Sequence, residues 1–215
     1  MNYKNILFDL DGTLTDPKVG ITRGVAYALA SFGIKEDPDS LTRFIGPPLK
    51  EAFMDYYGFD AGQAMEAIKQ YRVYFSDIGI FENELYDGIP EMLKRLKTAG
   101  KTLLVASSKP TVFVERILEH FQINECFSFV AGSELDGRRT DKADVIGYVT
   151  EAMGLRASDC IMVGDREHDV LGAKKRGMDS VGVLFGYGTR EELEAAGATA
   201  IAATVAELGD LLQMM

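Results

Sequence analysis

Apolar residues fall along this chain in two textures. Short unbroken runs end in glycine or polar residues: Ile6-Leu7-Phe8, Leu103-Leu104-Val105-Ala106, Phe127-Ser128-Phe129-Val130-Ala131, Cys160-Ile161-Met162-Val163 and residues 180–184. They predict buried strands. Between them apolar residues recur every three or four positions, which predicts helices. These span residues 90–99 with Gly100 as a stop, 111–121 with Phe113, Ile117 and Phe121 on one face, 142–153, 167–176 closed by Gly177, and 190–196. A weak edge strand over 199–202 and a helix over 205–212 close the chain.

One stretch breaks this alternation. A helix is predicted to start at Thr15-Asp16-Pro17, carry Ile21, Val25, Leu29 and Phe32 on one face, and stop at Gly33. Further helical segments follow over 38–45, 49–57 and 61–75, with Gly46-Pro47-Pro48 as a break, and no strand is predicted before residue 84. Residues 16–84 therefore read as a helical insert, and residues 1–15 with 85–215 as the core domain. Strands alternating with helices imply an α/β fold, a doubly wound, mainly parallel, Rossmann-like sheet covered on both faces. Such sheets bind ligands at the carboxyl ends of their strands, near the point where strand order reverses.

The chemistry-bearing residues lie at those ends. After the first strand come Asp9-Leu10-Asp11-Gly12-Thr13. Two carboxylates two residues apart on an extended strand would point the same way, a costly arrangement that a bound cation would offset. Gly12 permits a sharp turn with exposed backbone N–H groups, and Thr13 adds a hydroxyl. Ser107-Ser108 ends the second strand, Lys142 opens the helix after the third, and Gly164-Asp165-Arg166-Glu167-His168-Asp169 follows the fourth. Singly, each has a plain reading. Asp-Gly is turn chemistry, Ser107 a helix cap, Lys142 a solvated helix residue, and the acidic run a complement to a helix dipole.

Together at one sheet edge they are the set that a phosphate monoester and a divalent cation need. Asp9 would attack phosphorus and form an aspartyl-phosphate. Asp11 would act as general acid and then base, which requires a raised pKa. Mg²⁺ would take oxygens from Asp9, the Asp11 carbonyl and Asp165, with Asp169 orienting its waters. Phosphoryl oxygens would be held by the Ser107 hydroxyl, the Lys142 ammonium and backbone groups at Leu10, Gly12, Thr13 and Ser108.

Composition narrows the partners. The chain has 215 residues, enough for one large domain or a domain with an insert. A formal net charge of −10 argues against non-specific binding to nucleic-acid polymers or anionic membranes. Cys126 and Cys160 both lie at apolar runs and read as two buried reduced thiols, not a disulfide. Residues 1–4 lack the apolar region of a signal peptide, and no apolar run approaches the ~18 residues of a membrane span. The expectation is a cytoplasmic protein, monomeric or weakly homodimeric, whose partner is a small phosphorylated metabolite.

The ordered set resembles the haloacid dehalogenase-like hydrolase superfamily over essentially the whole chain. Asp9-Leu10-Asp11-Gly12-Thr13 is similar to its first motif, Ser107 to the second, Lys142 to the third, and Gly164-Asp165 through Asp169 to the fourth. The second aspartate, Asp11, resembles the phosphatases and mutases, since the dehalogenases lack that acid. A helical insert directly after the first motif is similar to the phosphoglycolate phosphatase-like branch, whose cap closes over the site. Gly46-Pro47-Pro48-Leu49 resembles a cap loop that reaches the active site, which implies substrate contacts from Arg43, Gly46 and Lys50. The plain alternative for Arg43 and Lys50 is a surface charge. The cap aromatics Phe44, Phe53, Tyr56, Tyr57, Tyr71 and Tyr74 read as its core before a base-stacking platform. Ser107-Ser108-Lys109-Pro110 and the fourth motif look most like a bacterial subgroup of 5′-nucleotidases or phosphoglycolate phosphatases. Lys109, just after the second strand, is expected to face the pocket mouth, and Arg166 and His168 read as surface residues before cap-interface ones. The resemblance implies a Mg²⁺-dependent phosphomonoesterase. The alternatives are a β-phosphoglucomutase-like phosphomutase and a non-catalytic phospho-ligand binder. Gly88 and residues 15–17 are the expected hinges.

Overall fold

The computed structural model describes residues 3–215. The chain divides into two compact units, one running up to Asp16 and again from Leu85 to Met215, the other Pro17–Glu84. Strand β1 (Asn5–Phe8) opens the first unit with all four residues buried. A tight turn follows, and β2 (Thr15–Asp16) brings the chain to the boundary.

The second unit is helical. It holds α1 (Lys18–Ala30), a 3₁₀ turn (Pro38–Phe44), α2 (Leu49–Tyr57), α3 (Ala61–Phe75) and a second 3₁₀ turn (Gly79–Phe81). Helix α1 starts at Lys18, just past the expected start at residues 15–17, and without a side-chain cap, because Thr15 and Asp16 are used in β2. Helix α3 has a reciprocal Asp60–Gln63 capping box. Phe44, Phe53, Tyr71 and Phe75 are buried in this unit's own core, whereas Tyr56 is exposed. Gly20 permits a close approach there, since a Cβ would lie 1.9 Å from the Gly79 carbonyl oxygen.

β3 (Glu84–Leu85) returns the chain to the first unit. The alternation then runs α4 (Ile89–Thr98), β4 (Thr102–Pro110), α5 (Thr111–His120), β5 (Phe129–Ser133), α6 (Lys142–Ala152) and β6 (Cys160–Gly164). It continues through α7 (Glu167–Lys175), β7 (Asp179–Val183), α8 (Arg190–Ala196), β8 (Ala200–Ala202) and α9 (Val205–Met214). Six strands form one sheet in the order β5-β4-β1-β6-β7-β8, with parallel pairing throughout. This is the expected α/β architecture. β1 lies between β4 and β6, with Phe8 opposite Val105 and Val163, so the ends of β1 and β6 lie beside β4 where the strand order reverses. Leu7, Leu104, Ala106 and Met162 pack with Val145, Ile146 and Val149 of α6. Each such large side chain contributes about 1.5–3 kcal/mol on burial.

Two boundaries differ from the sequence reading. β4 does not end at Ser107-Ser108 but shifts register and re-pairs Pro110 with Ser133. Polar groups hold this extension: the Ser133 hydroxyl donates to the Ser108 carbonyl at 2.8 Å, and the Gly132 N–H donates to Thr111 Oγ1 at 3.0 Å. β5 starts at Phe129 because residues Asn124–Cys126 form a 3₁₀ turn. That turn leaves Cys126 half-buried, while Cys160 is buried; both are free thiols. No helix among the described residues is long and apolar enough to cross a membrane.

Candidate active site

The turn after β1 is closed by its own backbone. Leu14 and Thr15 N–H donate to the Leu10 carbonyl at 2.8 and 3.0 Å, and Gly12 N–H donates to the Thr15 carbonyl at 2.8 Å. Gly12 has φ +78°, and a Cβ there would lie 2.2 Å from Asp165 Oδ2. Only glycine fits on both counts. Asp9 and Asp11 thus lie past the strand's end in a turn, and strand alternation does not align them. Each carboxylate instead has its own lysine: Asp9 Oδ2 is 2.9 Å from Lys142 Nζ, and Asp11 Oδ2 is 2.7 Å from Lys109 Nζ.

Lys142 is the first residue of α6, whose N-cap is Asp141, accepting from Ala143 N–H at 2.8 Å. Its side chain passes inward beside Gly172 of α7, where a Cβ would lie 2.8 Å from Lys142 Cγ. The ammonium group also meets Asp169 Oδ1 at 2.7 Å and the Ala106 carbonyl at 3.1 Å. Burial pulls its pKa down, but Asp169 and Asp9 outweigh burial and hold it above the ordinary lysine value. With 5% exposure, it is not a solvated helix residue.

Asp9, Asp165 and Asp169 are 7%, 1% and 1% exposed, and each offers a carboxylate oxygen within 4.8 Å of the others. Asp165 Oδ2 accepts the Tyr187 N–H at 2.7 Å, while its Oδ1 is buried without a hydrogen-bond partner. Burial, and then the Asp169 charge, push the Asp165 carboxyl well above its usual range. Burial pushes Asp169 up to about 6, against the pull of Lys142. Four carboxylates thus face two ammonium groups, an excess of two negative charges. A buried all-oxygen donor set with an orphaned oxygen and that charge excess fits a hard divalent cation. The Asp11 carboxylate stands outside this cluster on Lys109, so only its carbonyl is left as a candidate ligand. Burial raises the Asp11 pKa, opposed by Lys109, in the direction a general acid requires.

Three of the expected anion-binding backbone groups, at Leu10, Gly12 and Thr13, already have partners. Leu10 N–H donates to Asp9 Oδ1 at 2.7 Å, Gly12 N–H to Thr15, and Thr13 N–H to the Leu10 carbonyl at 3.2 Å. A turn this tight must satisfy its own buried backbone donors. Side chains offer further anion-binding groups. Ser107 Oγ accepts Lys109 N–H at 3.3 Å and keeps its own proton to donate. The buried Thr13 Oγ1 has no hydrogen-bond partner. Ser108 presents its carbonyl to Ser133. Arg166 is held by Glu192 at 2.8 Å, and His168 is half-buried with its pKa lowered by burial. In the second unit, the exposed Arg43 lies over the Tyr56 and Tyr57 rings at 4.7 and 5.5 Å. Lys50 is exposed and Gly46 half-buried.

The sequence reading missed the loop after β7. Gly186 and Gly188 pass so close to Asp165 that a Cβ would lie 2.4 Å from its Cβ and 1.9 Å from its carbonyl oxygen, respectively. Tyr187 between them donates its N–H to Asp165 and its hydroxyl to Asp16. The available signal was a Gly-x-Gly directly after an apolar strand.

The sequence model of the haloacid dehalogenase-like hydrolase family matches residues 6–183. This chain belongs to that family, among its phosphatases. It is 49% identical over 214 residues to a protein of Pseudomonas aeruginosa named 5′-nucleotidase, covering 99% of this chain and 97% of that one. It is 39% identical over 211 residues to a Mycobacterium tuberculosis protein named tyrosine-protein kinase PtkA, covering 96% of this chain and 72% of that one. Among solved structures, a predicted phosphatase from Clostridium acetobutylicum superimposes with a TM-score of 0.98 at 50% identity, covering 100% of both chains.

Proposed function

We propose that this chain is a Mg²⁺-dependent phosphomonoester hydrolase working through an aspartyl-phosphate on Asp9. The proposed substrate is a small phosphorylated metabolite, with a nucleoside 5′-monophosphate as first candidate and phosphoglycolate as second. One observation carries the reading: Lys142 Nζ bridges Asp9 Oδ2 and Asp169 Oδ1 at 2.9 and 2.7 Å, beside the unpartnered buried oxygen of Asp165. Lys142 holds the Asp9 carboxylate in place for attack and neutralises charge that would repel a phosphate dianion. Asp9 forms the bond to phosphorus as the ester bond breaks. Asp11 gives its proton to the departing alkoxide and later takes one from a water that attacks phosphorus, so that the Asp9–phosphorus bond breaks, inorganic phosphate leaves and Asp9 is regenerated. The Ser107 hydroxyl donates to a phosphoryl oxygen. Asp9, the Asp11 carbonyl, Asp165 and Asp169 would hold the cation, which when bound neutralises phosphoryl charge. The name of the Pseudomonas relative supports a nucleotide substrate. Arg43, Gly46 and Lys50 stay with this proposal as leaving-group contacts, although Arg43 would first have to leave its tyrosines.

The test is phosphate release with Mg²⁺ from a panel of nucleoside 5′-monophosphates, phosphoglycolate, sugar phosphates and an aryl phosphate, with Asp9→Asn as blank. One metabolite ~100-fold above the others, roughly 2.7 kcal/mol of differential transition-state binding, would name the substrate. Undiminished turnover by Asp9→Asn would end the aspartyl-phosphate reading. The likeness to a protein named a tyrosine kinase favours a second reading, transfer of the Asp9 phosphoryl group to a hydroxyl acceptor, as a mutase also requires. Labelled phosphate retained on an added sugar phosphate or tyrosine peptide, instead of released, would select it.

A further inference from the structure

We infer that Tyr187 is a positioning residue that ties Asp165 to the two points where the chain leaves and re-enters the first unit, an inference that rests on reading Asp165 as a cation ligand. Its backbone N–H donates to Asp165 Oδ2 at 2.7 Å, and its hydroxyl donates to Asp16 Oδ1, on the last residue of the unit's first segment. Phe185, two residues before Tyr187, packs edge-on against Tyr86, one residue past the re-entry, with ring centroids 5.1 Å apart. Tyr86 N–H donates in turn to the Leu14 carbonyl at 3.3 Å, which joins the two crossings to each other. The loop therefore has Asp165 on one side and both crossings on the other.

The loop also lacks slack. A Cβ on Gly186 would lie 2.2 Å from the Gly12 carbonyl oxygen, and one on Gly188 would lie 1.9 Å from the Asp165 carbonyl oxygen. Backbone packed this closely passes a displacement on instead of absorbing it. The phenol–carboxylate bond to Asp16 is charge-assisted, so it is a firm link. When Asp165 turns an oxygen to a cation, Tyr187 follows, and the backbone at Asp16 and Tyr86 is ordered with it. The second unit is covalently joined to the first only through these crossings.

The test compares wild type, Tyr187→Phe, Asp16→Ala and the double variant. Mg²⁺ affinity is read by calorimetry, and amide hydrogen exchange over residues 14–16 and 85–88 with Mg²⁺ or EDTA. Tyr187→Phe keeps the N–H bond to Asp165 and removes only the hydroxyl. In wild type, Mg²⁺ slows exchange at both crossings. In Tyr187→Phe, affinity stays within about threefold while protection at residues 14–16 is lost, and kcat falls ~10-fold with a smaller change in KM. The double variant is no worse than either single one, as for two ends of one interaction. Mg²⁺-dependent protection surviving in Tyr187→Phe, or additive losses, would overturn the inference while leaving the cation site standing. Wild type that binds no Mg²⁺ would overturn both.

Discussion

Lys109 Nζ lies 2.7 Å from Asp11 Oδ2, and the pair is largely buried. Burial raises the Asp11 pKa and Lys109 restrains the rise. Lys109→Met removes the restraint, so Asp11 holds its proton to higher pH. In the proposed mechanism it remains an acid for the leaving group and becomes a poorer base toward water. The ascending limb of the kcat–pH profile should move to higher pH, and phosphorylated Asp9 should accumulate at neutral pH, with turnover down ~10-fold or more. Acid-quenched phosphoprotein and the pH profile measure this. An unshifted profile would mean that Lys109 does not act through Asp11.

Lys142→Met would leave Asp9 and Asp169 facing each other without a cation. Removing one partner of a buried ion pair costs about 3–5 kcal/mol. The loss should be largest near neutral pH and smaller near pH 5, where Asp169 can take up a proton. Urea denaturation at the two pH values reads the difference. Loss of turnover by at least ~100-fold should accompany it.

Asp165 and Asp169 set the pH dependence of the cation-free protein. A carboxyl whose pKa is raised by folding favours the fold while protonated. That contribution is complete below its ordinary pKa near 4 and is lost as pH rises through the folded value, which is about 6 for Asp169. Without Mg²⁺ the protein should therefore lose stability across this window. The Tm gain on adding Mg²⁺ should be larger at pH 7.5 than at pH 5, and binding near pH 6 should release protons. Thermal scans with and without Mg²⁺ decide it, and a gain that is flat with pH would count against cation binding at these carboxylates.

The two thiols should differ. Burial pushes Cys160 up to about 11, and its Sγ lies 3.2 Å from the Arg156 carbonyl. Cys126 is half-buried. At pH 8 the native protein should take up one equivalent of a thiol reagent, at Cys126, and the second only after unfolding. Mass spectrometry of the labelled peptides shows which thiol reacts, and early labelling of Cys160 would contradict the burial argument.

The strands were readable because β1 and β6 are buried at every position, so their apolar runs are unbroken. Lys142 was found only by its order among the motifs, since nothing local distinguishes a lysine buried beside Gly172 from a solvated one. The extension of β4 to Pro110 was hidden because its later rungs are made by Ser108, Thr111 and Ser133, which read as loop chemistry. Gly186 and Gly188 were hidden for a deeper reason. What they contribute is a missing Cβ against Asp165, a residue of another strand's end. The free anion nest expected at Gly12 and Thr13 failed because the turn consumes its own donors.

The place of β1 between β4 and β6 has a consequence for synthesis. Asn5 must pair with Thr102 on one side and Cys160 on the other. Neither neighbour exists when β1 leaves the ribosome, so the strand that leads into Asp9 waits with both edges bare until β4 is made and with one bare until β6 is made. Long-range parallel pairing of this kind is slow and exposes apolar edges to misassembly. The chemistry thus comes into being late. No nascent chain that ends before Asp165 can bring Asp9 beside Asp165, and the proposed site stays incomplete until the sixth strand and the residues after it have been made.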